Sequence, residues 1–109
     1  MADRPPLDQH TLVLLVRPPD APDMSDQQLD ELQQQHLDFL ASMREQGLMH
    51  AAGPFVGQPD ERLRGMCLYR VGVEETRRLA AEDPSVRAGR MAVQVFSWYT
   101  RPGELRFGG

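Results

Sequence analysis

Among residues able to move a proton near neutral pH, this chain offers three histidines, His10, His36 and His50, and a single cysteine, Cys67. His36 lies on a stripe formed by Leu29, Leu32, His36, Phe39, Leu40 and Met43, spaced by three and four residues. A histidine so placed is either a core residue satisfied by a backbone carbonyl, or an imidazole available for general acid–base chemistry at little cost near pH 7. Asp83 stands directly before Pro84. It is either a solvated helix stop or a carboxylate that pairs with His36, fixes its tautomer and stabilises the imidazolium.

Other residues carry weaker signals. Gly53 and Gly89 are turn glycines or points where backbone N–H groups approach an anionic ligand. Arg70 and Arg90 are surface cations or a clamp for a carboxylate or phenolate, and Tyr69 and Trp98 are core contacts or a wall for an aromatic ligand. The histidines fall on three different elements, and no H-x₃-H or C-x₂-C spacing occurs, so no metal site is expected. No G-x-G-x-x-G, P-loop or G-x-S-x-G motif is present, and no cofactor is expected. Cys67, in mid-strand with no neighbouring base, reads as an inert thiol.

The elements that must position these groups follow from periodicity. Residues 10–17 read as a strand apolar on both sides, hence covered on both faces. The Pro/Asp stretch 18–24 is a loop, and Ser25-x-x-Gln28 opens a helix that runs to about Gln46 and stops at Gly47. Residues 48–53 form a second strand, closed by Gly53-Pro54, and residues 55–63 are a lid or hairpin tip. Residues 64–71 form a third strand, Val73 to about Glu82 a second helix ended by Asp83-Pro84, and residues 91–99 a fourth strand. The tail 100–109 has no periodicity. The order β-α-β-β-α-β is the split-βαβ, ferredoxin-like pattern: a four-stranded antiparallel sheet with two helices on one face. Phe96 and Trp98 oppose Val93 and Val95 across strand 4, so the other sheet face is also apolar. A second copy packed sheet to sheet covers it most simply, giving a dimeric α+β barrel.

Length and composition agree with a single domain spanning residues 1–109, with its core at about 10–99. The net charge is −4 and no basic cluster stands free of acids, which argues against a nucleic-acid surface. The longest purely apolar run, Leu12 to Val16, is far below the roughly 20 residues of a membrane span. The charged, proline-broken start fits no secretory signal, and one cysteine allows no intrachain disulfide, so a cytoplasmic location is expected.

The order of these landmarks resembles the YCII-related family: His36-x-x-Phe39-Leu40 on a helix, then Gly47, Gly53-Pro54, and Asp83-Pro84 with Gly89 six residues past the aspartate. The run DPSVRAGRM before a strand ending in Trp98 is similar to one branch of it, and the likeness covers roughly residues 10–99. Two positions depart: Gln33 where many members carry arginine, and Ser85 where many carry a bulky apolar residue. The resemblance implies a dimeric ferredoxin-like fold and a cleft holding His36 and Asp83 as a catalytic pair, with a small-molecule ligand. Ligand contacts are expected at Gly53, Pro54, Gly89 and Trp98. Most members have no established activity, and a minority eliminate chloride from chlorinated hydroxyquinol-type aromatics. The expected function is a cofactor-independent lyase or isomerase. The alternative is a non-catalytic ligand-binding or regulatory dimer of the same fold.

Overall fold

The computed structural model describes residues 6–107. Strand β1 spans Asp8–Val16, helix α1 Asp26–Glu45, β2 Met49–Pro54, β3 Leu63–Tyr69, α2 Val73–Ala80, α3 Pro84–Arg87 and β4 Ala92–Thr100. The strands form one antiparallel sheet in the order β2-β3-β1-β4. This is the ferredoxin-like arrangement that the element order predicts, an α+β fold.

Helix α1 is bounded by local chemistry. The Ser25 hydroxyl accepts the Gln28 N–H at 3.1 Å, and the Gln28 side chain accepts the Ser25 N–H at 2.9 Å, a reciprocal capping box. At its other end Gly47 takes φ +75°, its N–H donates to Arg44, and the Leu48 N–H donates to Met43. That pattern is the Schellman stop, which favours glycine because the left-handed region strains other side chains.

Alternation in the strands decides which side chains face the helices. Thr11, Val13 and Leu15 of β1, with Gly65, Cys67 and Tyr69 of β3, are buried beneath them. Leu40 and Met43 of α1 and Leu79 of α2 close the core from above. Helix α1 lies over β2 and against α3, while α2 lies by β4.

The opposite face of the sheet is open. Phe96 is 45% exposed and Trp98 39% exposed there. The chain after β4 returns to one end of this face, where Phe107 stacks on His50 with ring centroids 3.8 Å apart. His10, in the same cluster, hydrogen-bonds through Nε2 to the Thr100 hydroxyl at 3.0 Å.

Several boundaries differ from the sequence reading. Helix α2 ends at Ala80 instead of near Glu82, and β3 ends at Tyr69 instead of residue 71. A third helix, α3, was not expected. Residues 55–63 form a hairpin tip closed by the Phe55 N–H on Arg64, and none of them lines the cavity beside His36.

Candidate active site

The 3.6-residue period of α1 carries His36, Leu40 and Met43 inward together, and His36 is only 6% exposed. Facing it is Asp83, 2% exposed. Proline at position 84 forces Asp83 out of helical geometry, to φ −57° and ψ 126°, and starts α3 at the next residue. Asp83 is therefore the N-cap of α3. The sequence reading took Asp83 as the residue that stops α2. The structure corrects that: the chain turns at Pro84, and the carboxylate caps a new helix.

Both carboxylate oxygens are satisfied. Oδ2 lies 2.7 Å from His36 Nδ1. Oδ1 accepts the Ser85 backbone N–H at 2.9 Å and the Ser85 hydroxyl at 2.8 Å. A carboxylate this buried is tolerated only when paired and hydrogen-bonded in such a way. Ser85, 4% exposed, was noted in the sequence only as a departure. Its signal was present in Asp83-Pro84-Ser85, since an aspartate before a proline is also a helix-start signature.

The arrangement dictates the tautomer. An ionised carboxylate only accepts, so Nδ1 of His36 carries the proton and donates it, leaving Nε2 as the basic nitrogen. Nε2 has no hydrogen-bond partner among the described residues and is not sealed from solvent. His36 borders a cavity of about 320 Å³, together with Arg17, Gln33, Gly53, Pro54 and Arg64. That volume is at the lower end for small-molecule sites and equals about ten waters of liquid. Asp83 is absent from the lining and supports His36 from behind.

Gly65 matters to the cavity wall. A Cβ there would fall 2.6 Å from the Gly53 carbonyl oxygen and 3.2 Å from Pro54 Cα, so β2 and β3 approach closely only because the residue is glycine. Gly53 and Pro54 line the same cavity as His36.

Two expected ligand contacts are placed elsewhere. Trp98 projects from the open face, its ring 5.7 Å from that of His10, because its strand parity is opposite to that of the helix-facing residues. Gly89 is a turn glycine at φ +76° packed against Pro22, outside the cavity. Arg90 borders an adjoining hollow of about 260 Å³, with Arg17, Gln33 and Ser85.

Arg17 was not singled out from sequence. It continues the Val13, Leu15 parity by one more step and so points to the helix side. Its Nε is buried with no partner among the described residues, and burial, with Arg64 and Arg90 nearby, lowers its pKa from the usual arginine range. Cys67 lies in the core, where burial first and the Asp83 charge second push its thiol up to about 12. Among the described residues no group of three or more His, Cys, Asp or Glu side chains is arranged to hold a metal ion.

Comparison with known proteins sets this geometry in context. The model of the YCII-related domain matches residues 11–99. A structural neighbour is 5-chloro-2-hydroxyhydroquinone dehydrochlorinase of Burkholderia phenoliruptrix AC1100, solved in complex with 2,5-dihydroxybenzoquinone. It is 18% identical, with a TM-score of 0.60 over 82% of this chain and 92% of that one. At such identity the likeness speaks for the fold. No curated protein matches the chain.

Proposed function

This chain belongs to the YCII-related domain family, and we propose that it is a cofactor-independent small-molecule lyase or isomerase with His36 as its general acid–base. The observation that carries the reading is the 2.7 Å contact between His36 Nδ1 and Asp83 Oδ2, with Nε2 left free beside a cavity. In that role Nε2 takes a proton from the substrate, and the electron pair of the broken bond forms a new π bond. In a lyase the leaving group departs from the neighbouring atom with its own electrons. In an isomerase His36 returns the proton to a different atom. Asp83 stabilises the imidazolium formed in between and prevents the ring from turning. A positioned acid–base of this kind contributes about 10²–10⁴-fold to rate.

The dehydrochlorinase supports the same class: its name gives a single-ring phenol as substrate, and its bound ligand is a single-ring quinone. A cavity of about 320 Å³ suits one ring with its substituents. Gly53 and Pro54 are the ligand contacts favoured by position. The reading is of a cytoplasmic homodimer in which a second copy covers the sheet face bearing Phe96 and Trp98.

The test is turnover on halogenated hydroxyquinols and related enolisable rings, with chelator present and no cofactor added. Halide release or isomerisation by the wild type, lost on His36→Asn with ligand affinity retained, supports the proposal. Tight ligand binding without any turnover favours the non-catalytic ligand-binding dimer instead.

A further inference from the structure

Ser85 is held at every polar atom it has. Its backbone N–H donates to Asp83 Oδ1 at 2.9 Å, and its carbonyl accepts the N–H groups of Arg90 and Met91, both at 3.1 Å. Its hydroxyl donates to the same Oδ1 at 2.8 Å, and the hydroxyl oxygen lies 3.4 Å from His36 Nδ1. The side chain is therefore placed by the backbone of α3 and of the turn into β4, beside both the carboxylate and the ring that the carboxylate supports.

The cap of α3 does not need the hydroxyl. The backbone N–H already gives Oδ1 the bond that an N-cap aspartate makes. What the hydroxyl adds is a second donor on a carboxylate whose other oxygen faces an imidazole. Each donor on Oδ1 draws negative charge to that side and leaves less on Oδ2 to pull the proton from Nδ1. At 2.7 Å the contact between Nδ1 and Oδ2 is short enough for that pull to matter.

Ser85 acts from outside the space where a substrate would lie. His36 borders the cavity of about 320 Å³, whereas Ser85 borders the adjoining hollow of about 260 Å³ and is absent from the lining of the first. A ligand beside Nε2 leaves the hydroxyl in place.

We infer that Ser85 is a positioning residue of the acid–base group, its hydroxyl keeping the shared proton on His36 Nδ1 and so keeping Nε2 as the nitrogen that exchanges protons with a substrate. The inference deepens the proposed function and rests on it only where turnover is concerned, since the place of the Nδ1 proton is a property of the ligand-free protein. Once Nε2 has taken a proton, the ring is an imidazolium and a good acid for giving that proton up. A Nδ1 proton lost to Oδ2 at that stage leaves a neutral ring carrying the substrate's proton on Nε2, which is a poor acid.

The experiment is NMR of the ¹⁵N-labelled full chain without ligand, joined to steady-state kinetics on the halogenated hydroxyquinols. The wild type is expected to show a downfield Nδ1–H proton with a full one-bond ¹⁵N–¹H coupling. Ser85→Ala should move that proton further downfield and weaken the coupling, and kcat should fall about tenfold with KM within about twofold, because one hydrogen bond to a charged group is lost outside the cavity. Ser85→Thr keeps the hydroxyl, and the hollow has room for its methyl group, so the signal should return and kcat should recover to within about threefold. Ser85→Cys, similar in size but only a weak donor, should behave like the alanine variant and decides the matter should Ser85→Ala not fold. A signal or a kcat in Ser85→Ala that matches the wild type overturns the inference, as does a threonine variant that behaves like alanine. Wild-type protein with no turnover on any of these rings removes the acid–base reading, while the Nδ1–H signal still decides the role of Ser85.

Discussion

Asp83 Oδ2 lies 2.7 Å from His36 Nδ1, although 47 residues separate the two in sequence. Asp83 is held from its other side by the backbone N–H and hydroxyl of Ser85, so the carboxylate has a fixed orientation before any ligand arrives. That asymmetry makes the consequences of single substitutions specific.

Asp83→Asn should be far more damaging to turnover than to folding. Ser85 donates twice toward Oδ1, so the amide oxygen of asparagine takes that side and its NH₂ faces His36. Nδ1 must then accept, which moves the proton to Nε2 and leaves no base toward the cavity. Turnover is expected to fall about 10²-fold or more, with KM little changed and a stability loss of about 1–3 kcal/mol. Steady-state kinetics, thermal melting and ¹⁵N shifts of the imidazole check the three parts. A variant that keeps its Nδ1–H tautomer and its rate would show that Asp83 does not set the proton's position.

His36→Ala should cost stability as well, since it leaves the Asp83 charge buried with Ser85 as its remaining partner. Removing one member of a buried pair costs about 3–5 kcal/mol. Ser85→Ala removes one hydroxyl donor while the backbone N–H remains, and about 1 kcal/mol is expected. Denaturant unfolding should therefore rank His36→Ala well above Ser85→Ala. The reverse order would mean that the pair does not hold α1 to α3.

Two glycines lining the cavity should respond differently to alanine. At Gly65 the new Cβ meets backbone atoms at 2.6 and 3.2 Å, which cannot swing away as a side chain would. Prying β2 from β3 is expected to cost about 1–3 kcal/mol and to weaken ligand binding. At Gly53 nothing lies within 4 Å of the added atom, so the change should stay within about 0.5 kcal/mol. Equal melting shifts for the two would contradict the strand spacing.

The core thiol sets a pH dependence. Burial keeps Cys67 protonated to about 12, whereas an unfolded chain releases that proton near pH 8.5. Tyr69 is raised too, chiefly by burial. The folded state therefore binds more protons than the unfolded state in this range, and stability falls as pH climbs above about 8.5. Cys67→Ala should flatten the first part of that decline. A thiol reagent at about pH 7.5 should label Cys67 only as fast as the protein unfolds, so rapid labelling of native protein would disprove its burial.

Oligomeric state follows from the open sheet face. A homodimer burying an interface of roughly 1,600 Å² in total is expected by light scattering on a sizing column. Phe96→Asp with Trp98→Asp should give a monomer that retains its helical signal. Wild-type protein that stays monomeric at micromolar concentration would rule the sheet-to-sheet pairing out.

Local patterns were enough for the order of the strands and the two longer helices, the capping box at Ser25 and the inward stripe that bears His36. Each depends on residues within a turn or two of one another, where backbone geometry alone decides the outcome. Strand parity also separated Trp98 from Val93 and Val95, but parity says only that two sets face opposite ways. Which set meets the helices was decided by packing, and it carried Trp98 away from the cavity and Arg17 toward it. Asp83-Pro84 was legible as a break in the chain, while its role as the cap of α3 depended on residues 84–87 taking up a helical turn of their own. The meeting of Asp83 with His36 depended further on α1 lying against α3 across the sheet. Sequence periodicity assigns each side chain to a face of its own element. Contact between residues on different elements comes only when those faces are buried against one another, and that selection is made by the whole core at once.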